Sequence, residues 1–530
     1  MIKLFQNKTF QTIGFYILLF LLCASVAIKS ANYDYDLWAR LIAGMAIVQT
    51  GHILKYDFLS YTPTHEWYDH EWGSSVIFYL FKEHFGHLGL MFLQVILIFL
   101  TMFVLVKAIK LRYQNTCGYK NVLIYFLVLN CFMVTYSSLV RCHSFTFLFF
   151  MIELYMLEYI RKNNSYKLLL LFPFMFLIWG NMHGGVVSGL GLLAMYTLGE
   201  ALNKKPFKYL LITSLVCPLM LFINPYGPDF VTFLIKAVSM KRVHVVEWWH
   251  IFTKYNYKMF MTFKVMALLY VIVEFLKVKN SNISYKSLDK TKFIVLLVTL
   301  FMAIKHVKMM PFFVLTGTVF CYEDFLNAFK NFNFPKWSMP SLIVFLTCYS
   351  ILAISIKDYR PLVNYNAYPV MEVEFLRKNH IEGKLLTNFG IGSFAAYKLY
   401  PQNTIYMDGR YEEVYNDDLL YYLDAFFALK GGDNAFYILE NYKPDIIILE
   451  TGYKRLYNLL SKSDDWRLAF DGINYGVFIN AKIYRKNYSP PSGDLKYYKK
   501  TILNTDITFK GPNAINVDEI NKRGKQQHKD

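Results

Sequence analysis

The sequence predicts a mainly α-helical, polytopic membrane bundle of about eleven spans, followed by a small α/β domain. Composition is the first reason, since 55% of the chain is hydrophobic and 18% aromatic, with 47 Phe and 42 Tyr. Recurring apolar runs are the second, each near the length that crosses a hydrocarbon core of about 30 Å. The third is the placement of cations. A formal charge of +18 would point to nucleic acid in a soluble chain, but here the cations crowd alternate short loops, so nucleic acid is excluded as the partner.

The first run, Phe10 to Ile28, follows Lys3 and Lys8 and reads as a retained span rather than a cleaved signal peptide, because ten more runs follow. The further spans lie near residues 88 to 106, 121 to 137, 142 to 160, 166 to 180, 184 to 201, 207 to 223, 259 to 276, 291 to 304, 309 to 326 and 338 to 356. Cation-rich loops containing Lys107, Arg112, Arg161, Lys204, Lys277, Lys292 and Lys330 are then cytoplasmic. The first loop, residues 224 to 258 and everything after Lys357 face outward. The segment His70 to Phe85 reads as an interfacial amphipathic helix. Residues 1-356 thus form the transmembrane domain, with outer juxtamembrane helices in 31-87.

Between Asp36 and Gly51, the spacing of Leu37, Leu41, Met45 and Val48 predicts an amphipathic helix lying flat on the outer leaflet. After Lys357, strands are expected at Lys384 to Asn388, Thr404 to Met407, Asp445 to Glu450 and Val477 to Asn480, with helices at Val370 to Asn379 and Asp417 to Leu429. That outward-facing α/β domain spans 357-488. Gly390-Ile391-Gly392 lacks the third Gly of a dinucleotide fingerprint and reads as a tight turn. Residues 489-530 are polar, Asn/Lys-rich and aperiodic, an extended or disordered tail. All seven Cys fall in or beside apolar runs up to Cys348, so no disulfide framework is expected.

This topology gathers polar residues at the outer face. They are Asp34 and Asp36; Asp57; His70 and Glu71; Arg141 and His143; Asn181 and His183; Asn224-Pro225-Tyr226-Gly227; Glu247; and Lys305, His306 and Lys308. Each has a plainer reading: Arg141 and Lys308 could snorkel to headgroups, the glycines could be helix breakers, His183 a turn residue, and the Trp residues interfacial. The acid pair is harder to set aside, because a carboxylate at a bilayer edge is costly to desolvate and adds nothing to packing.

Asp36 at the outer end of span one, followed by a juxtamembrane helix ending at Gly51, resembles the GT-C glycosyltransferases, such as protein O-mannosyltransferases and aminoarabinose transferases. Over residues 10 to 480 the chain is similar to little-characterised bacterial membrane proteins of this group. The motifs are D-x-D-L-W (Asp34 to Trp38), H-E-W (His70 to Trp72), W-x-N-x-H-G-G (Trp179 to Gly185), N-P-Y-G (Asn224 to Gly227), E-W (Glu247-Trp248) and D-G-R-x-E (Asp408 to Glu412). Leu37 stands where many relatives have a second acid. The resemblance implies an enzyme of the bacterial inner membrane, with its active site and C-terminal domain facing the periplasm or exterior. It would take a sugar from a polyprenyl-phosphate-linked donor to a glycan, lipid or protein acceptor.

Such chemistry needs a base for the acceptor hydroxyl and cations for the leaving phosphate. Asp36 is the candidate base, with Asp34 supporting it. Arg141, Lys305 and Lys308, with His143, His183 and His306, are the candidate phosphate partners. Asp57, His70, Glu71, Asn181, Glu247 and Arg410 are candidate substrate contacts, and for Arg410 a structural ion pair is an equal alternative. Asp34 and Asp36 could also hold a divalent cation, Mg or Mn, since hard cations take carboxylate oxygens, whereas no His/Cys cluster has zinc spacing. Direct displacement with one base would invert the anomeric carbon. The rival readings are a transporter or flippase of lipid-linked sugars, which should show polar groups deep within spans where only Glu153 stands out, and a non-catalytic assembly protein.

Overall fold

The computed structural model describes residues 8–28, 33–113, 121–136, 140–240, 242, 245–280, 288–328, 335, 337–357, 359, 367–490, 511–512 and 514–515. The chain divides into two units, one of residues 1–29 and 91–358 and one of 30–90 and 359–530. This differs from the division expected from sequence: residues 31-87 group with the C-terminal domain rather than with the helical bundle. The cause is pairing that no local pattern reveals.

The helical unit contains Lys8–Ala27, Val122–Tyr136, His143–Asn163, Phe172–Met182, Val186–Leu202, Lys208–Val216, Met261–Asn280, Lys290–Lys305, Met310–Ala328 and Ser338–Ser355. Lys290–Lys305 packs against both Met310–Ala328 and Val186–Leu202. Its start is fixed by Asp289, whose carboxylate accepts the Lys292 N–H at 3.2 Å. At these helix ends Arg161 binds Glu158 (2.9 Å), Glu200 (2.8 Å) and Asp289 (2.8 Å), and Arg112 also pairs with Glu158. Among the described residues two helices are long and apolar enough to cross a membrane, Trp72–Arg112 and Val307–Asn327. The shorter apolar helices include Gln11–Ala27, Val122–Thr135, Tyr166–Met182, Val186–Leu202, Lys208–Phe222 and Pro340–Ser355. Gly86, at φ 62° and ψ −155°, interrupts Trp72–Arg112. The expected helix over His70 to Phe85 and the expected span after it therefore appear as two helices that meet at a kink at Gly86.

The second unit is built on a five-stranded sheet, β1 (Gly383–Leu386), β2 (Asn403–Ile405), β3 (Ile446–Glu450), β4 (Trp466–Asp471) and β5 (Tyr475–Asn480), in the order β2-β1-β3-β5-β4. β1 runs parallel to both β2 and β3, whereas β5 is antiparallel to β3 and β4. Parallel strands buried on both faces explain the Ile446-Ile447-Ile448-Leu449 run. β4 was not expected from sequence, although Asp471-Gly472 between two apolar runs is a hairpin signal.

The exposed edge of β2 is covered by the first loop. Ile405 N–H donates to Leu59 O (2.8 Å), Tyr61 N–H to Ile405 O (3.0 Å) and His65 N–H to Val414 O (3.0 Å). Leu37–Thr50 forms a helix closed by Gly51 in the left-handed region (φ 68°), as the sequence predicts. It does not lie on a leaflet by one face, because every residue from Leu37 to Ile47 is buried. The helix packs on Gly392–Leu399, and Trp38 meets Tyr368, Phe394 and Tyr397 edge-on or tilted. Most of 489-530 lies outside the described residues, but Ile515 donates its N–H to Gln49 Oε1 at 2.9 Å.

Candidate functional site

Two groups of expected residues take shape, one in each unit. In the sheet unit, Asp34 closes a turn before Leu37–Thr50, its Oδ1 accepting the Asp36 N–H at 3.0 Å. Asp36 is the N-cap residue, and its side chain does not cap that helix. The carboxylate instead lies against the D-G-R loop: a Cβ built on Gly409 would sit 2.4 Å from Asp36 Oδ1. The acid pair and the D-G-R motif are thereby two parts of one constellation.

Beneath it are two buried ionic clusters. Arg410 is fully buried and donates to Asp408 (2.9 Å), Asp57 (2.5 Å) and the Tyr415 hydroxyl (3.0 Å). Asp57 also accepts the N–H groups of Leu59 (3.1 Å) and Ser60 (2.9 Å). Burial pushes the Asp57 carboxyl up, but the Arg410 guanidinium and these hydrogen bonds outweigh it and hold the pKa below the usual carboxylate range. Arg410 thus makes the structural ion pair that was the equal alternative to a substrate contact, with Nε, Nη1 and Nη2 each bonded to protein. Asp57 is likewise a structural acceptor for the first loop.

The second cluster centres on Arg40, whose partners are Asp69 (2.6 Å), Glu413 (3.0 Å) and Glu71 (3.4 Å). Glu413 also accepts from Trp67 Nε1 (2.9 Å) and lies 3.1 Å from His70. Burial opposes protonation of His70, but Glu413 and Glu71 outweigh it and raise its pKa to about 9. Burial pushes Asp69 up and would do the same to Glu413, which Arg40 and His70 hold down instead.

Sequence reasoning found His70 and Glu71 but missed Arg40, Trp67, Glu413 and Tyr415. Arg40 alone could have been noticed, as a cation inside an otherwise apolar helix that must find an acid.

A pH dependence follows from His70. A pKa raised from about 6.5 to about 9 stabilises the fold fully below pH 6.5, and the contribution is lost as pH rises through 9. The unfolding free energy, and with it the melting temperature, should fall between pH 6.5 and 9, the free energy by on the order of 3 kcal/mol at most by linkage. His70→Asn should lower stability at pH 6.5 and flatten that decline, as read by thermal unfolding of the full chain across the range.

In the helical unit, the E-W and Lys305-to-Lys308 segments pair: Val307 N–H donates to Trp249 O (3.1 Å), and His306 Nδ1 lies 2.7 Å from Trp248 O. Arg141 forms an ion pair with Glu247. Lys308 and Arg242 sit over the Trp248 ring at 4.4 and 4.5 Å. Burial raises the Glu247 carboxyl, but Arg141 and Lys308 outweigh it and hold it low. The cluster has surplus positive charge, and Arg242 is a member that sequence reasoning missed. Lys305 is exposed at its helix end.

Next to it in sequence, the rings of His143 and His183 meet at a tilt of 54°, 4.4 Å between centroids. Gly185 N–H donates to His183 Nδ1 (2.9 Å), Thr146 Oγ1 lies 2.7 Å from the same atom, and Trp179 Nε1 donates to that hydroxyl (3.0 Å). Nδ1 is therefore an acceptor, which puts the proton of the neutral ring on Nε2. Asn181 clamps the W-x-N-x-H-G-G and N-P-Y-G segments, donating to Leu177 O (2.8 Å) and Ile223 O (3.3 Å) and accepting from Asn224 (3.1 Å). Its amide thereby bridges the two segments.

No protein-family model matches the chain, and no curated protein matches it. Solved structures do match. An oligosaccharyltransferase from the archaeon Archaeoglobus fulgidus, in complex with an inhibitory peptide and a dolichol phosphate, superposes with a TM-score of 0.58 at 11% identity, over 92% of this chain and 77% of that one. This chain shares the fold of that enzyme. Its apo form gives 0.56 at 10% identity, covering 86% and 71%, and another structure of the same enzyme holds zinc and sulfate. A variant of the mycobacterial arabinofuranosyltransferase AftD gives 0.50 at 9% identity, covering 89% of this chain and 41% of that one.

Proposed function

We propose that this protein is an integral membrane glycosyltransferase of the GT-C type that moves a sugar from a polyprenyl-phosphate-linked donor to an extracytoplasmic acceptor. The observation that carries the reading is the fold shared with the oligosaccharyltransferase over 92% of this chain. Because fold alone does not give chemistry, the reading also leans on the acids and cations described above. Asp36 takes the acceptor hydroxyl proton as the new C1–O bond forms and the bond from C1 to the phosphate oxygen breaks. Polyprenyl phosphate leaves with that bond's electron pair, and the anomeric carbon inverts. Asp34, held in its turn, keeps Asp36 in position. Arg141, Lys308, Lys305, His143, His306 and the Nε2 proton of His183 receive the phosphate charge.

A divalent cation, Mg or Mn, fits the same acids, since both are carboxylates and Asp36 leaves its helix uncapped. Bound there, it would supply further charge for the leaving phosphate. The enzyme would sit in the bacterial inner membrane with the acids outside the cytoplasm.

If Arg141 and Lys308 hold donor phosphate, truncating either to Ala should weaken donor binding by on the order of 2 to 5 kcal/mol. Glu247 competes for both cations, so Glu247→Gln should leave donor binding unchanged or tighter. Donor titrations of these variants check the pair of expectations, and unchanged affinity in both Ala variants would return the cations to headgroup anchoring. Proteoliposomes loaded with lipid-linked sugar separate a transferase from a flippase. The first consumes the donor and leaves polyprenyl phosphate, whereas the second moves it between leaflets intact.

A further inference from the structure

The sheet unit contains a cavity that none of these roles uses. It has a volume of about 370 Å³ and is lined by Tyr35, Phe389, Tyr453, Tyr475, Asp424 and Glu450, among others. Its position follows from topology. β1 lies between β2 and β3 with all three parallel, so the chain leaves the carboxyl end of β1 toward one side of the sheet and that of β3 toward the other. A crevice opens where the order reverses, and ligands of open α/β sheets bind there. Phe389 comes from the loop after β1, Glu450 ends β3, and Tyr475 pairs with Glu450 at the start of β5.

The lining selects its ligand. Three phenols and two phenylalanines, Phe389 and Phe427, offer π faces, whose negative charge suits the C–H face of a sugar ring, and the phenol hydroxyls add hydrogen bonds. Glu450 and Asp424 are acceptors when ionised, matched to hydroxyl donors and hostile to phosphate. Glu450 stands close to the phenols: it helps raise the pKa of Tyr35, after burial and Asp34, and of Tyr453 and Tyr475, after burial, and Asp424 adds to it at Tyr453. The volume is in the range of small-molecule sites and too small for a folded partner. Tyr35 separates Asp34 from Asp36 in the chain, and a Cβ on Gly390 would lie 3.8 Å from its ring. The cavity wall and the acid pair therefore share one short segment.

We infer that this cavity is the acceptor subsite and that it takes a neutral glycan, an inference that rests on the transferase reading for the word acceptor but not for the ligand. The test uses the full-length protein in lipid nanodiscs on an array of neutral oligosaccharides, with phosphorylated and uronate-bearing counterparts beside them. A subset of neutral glycans should be retained and the anionic counterparts rejected. Titration of a retained glycan should show at least a tenfold weaker affinity for Tyr453→Ala and for Glu450→Gln, the second of which keeps side-chain shape should the first disturb folding. No neutral glycan held more tightly by wild type than by Glu450→Gln, or anionic glycans held equally well, would overturn the inference. Glycan binding without any donor turnover would instead contradict the transferase reading and leave the subsite standing.

Discussion

Asp36→Asn should lower turnover by roughly 10²- to 10⁴-fold, the range for a lost general base, while donor affinity stays close to wild type. The reason is positional. Asp36 stands at the start of Leu37–Thr50 with its carboxylate beside Gly409, and thermal unfolding of the variant separates lost chemistry from lost fold. Asp34→Asn should cost less turnover, because an amide oxygen can still accept the Asp36 N–H. Loss in Asp34→Asn with near wild-type turnover in Asp36→Asn would reassign the base, and retention in both would remove it. Single-turnover kinetics with donor binding measured separately distinguishes these results.

Arg410→Met should destabilise the protein by about 3 to 5 kcal/mol, the cost of leaving buried charges unpaired. Asp57 and Asp408 would both lose their partner at fully buried positions. The first loop depends on Asp57, which holds Leu59 and Ser60 where they join β2, so the loss should spread to that edge. Adding Asp57→Asn and Asp408→Asn should recover part of the stability, because neutral amides need no counter-charge. Thermal unfolding of the three proteins reads this directly. A stable Arg410→Met with lost acceptor binding would instead put the guanidinium on substrate.

The local signals in the sequence were easier to read than the long-range ones. Gly51 as a helix stop, the strands β1, β2, β3 and β5, and the turn at Gly390-Ile391-Gly392 each follow from residues close in sequence. The Leu37–Thr50 helix was expected, but not its burial. The spacing of Leu37, Leu41 and Met45 gives one apolar face, while Trp38, Ile42 and Ala43 on other faces read as neutral until their partners from 368–397 are known. The same limit hid the Arg40 cluster, whose acid Glu413 lies 373 positions away. The D-G-R-x-E motif drew attention to Glu412, whereas Glu413 is the residue that binds Arg40. Grouping of residues 30–90 with the C-terminal domain likewise rests on backbone bonds from Leu59, Tyr61 and His65, which leave no periodic trace.

The central claim is tested most directly by incubating the purified protein in lipid with a panel of polyprenyl-phosphate sugars and measuring free polyprenyl phosphate by mass spectrometry. The account predicts release with at least one donor from wild type and its loss in Asp36→Asn. Donors recovered intact across the panel, or release that is equal in Asp36→Asn, would contradict it.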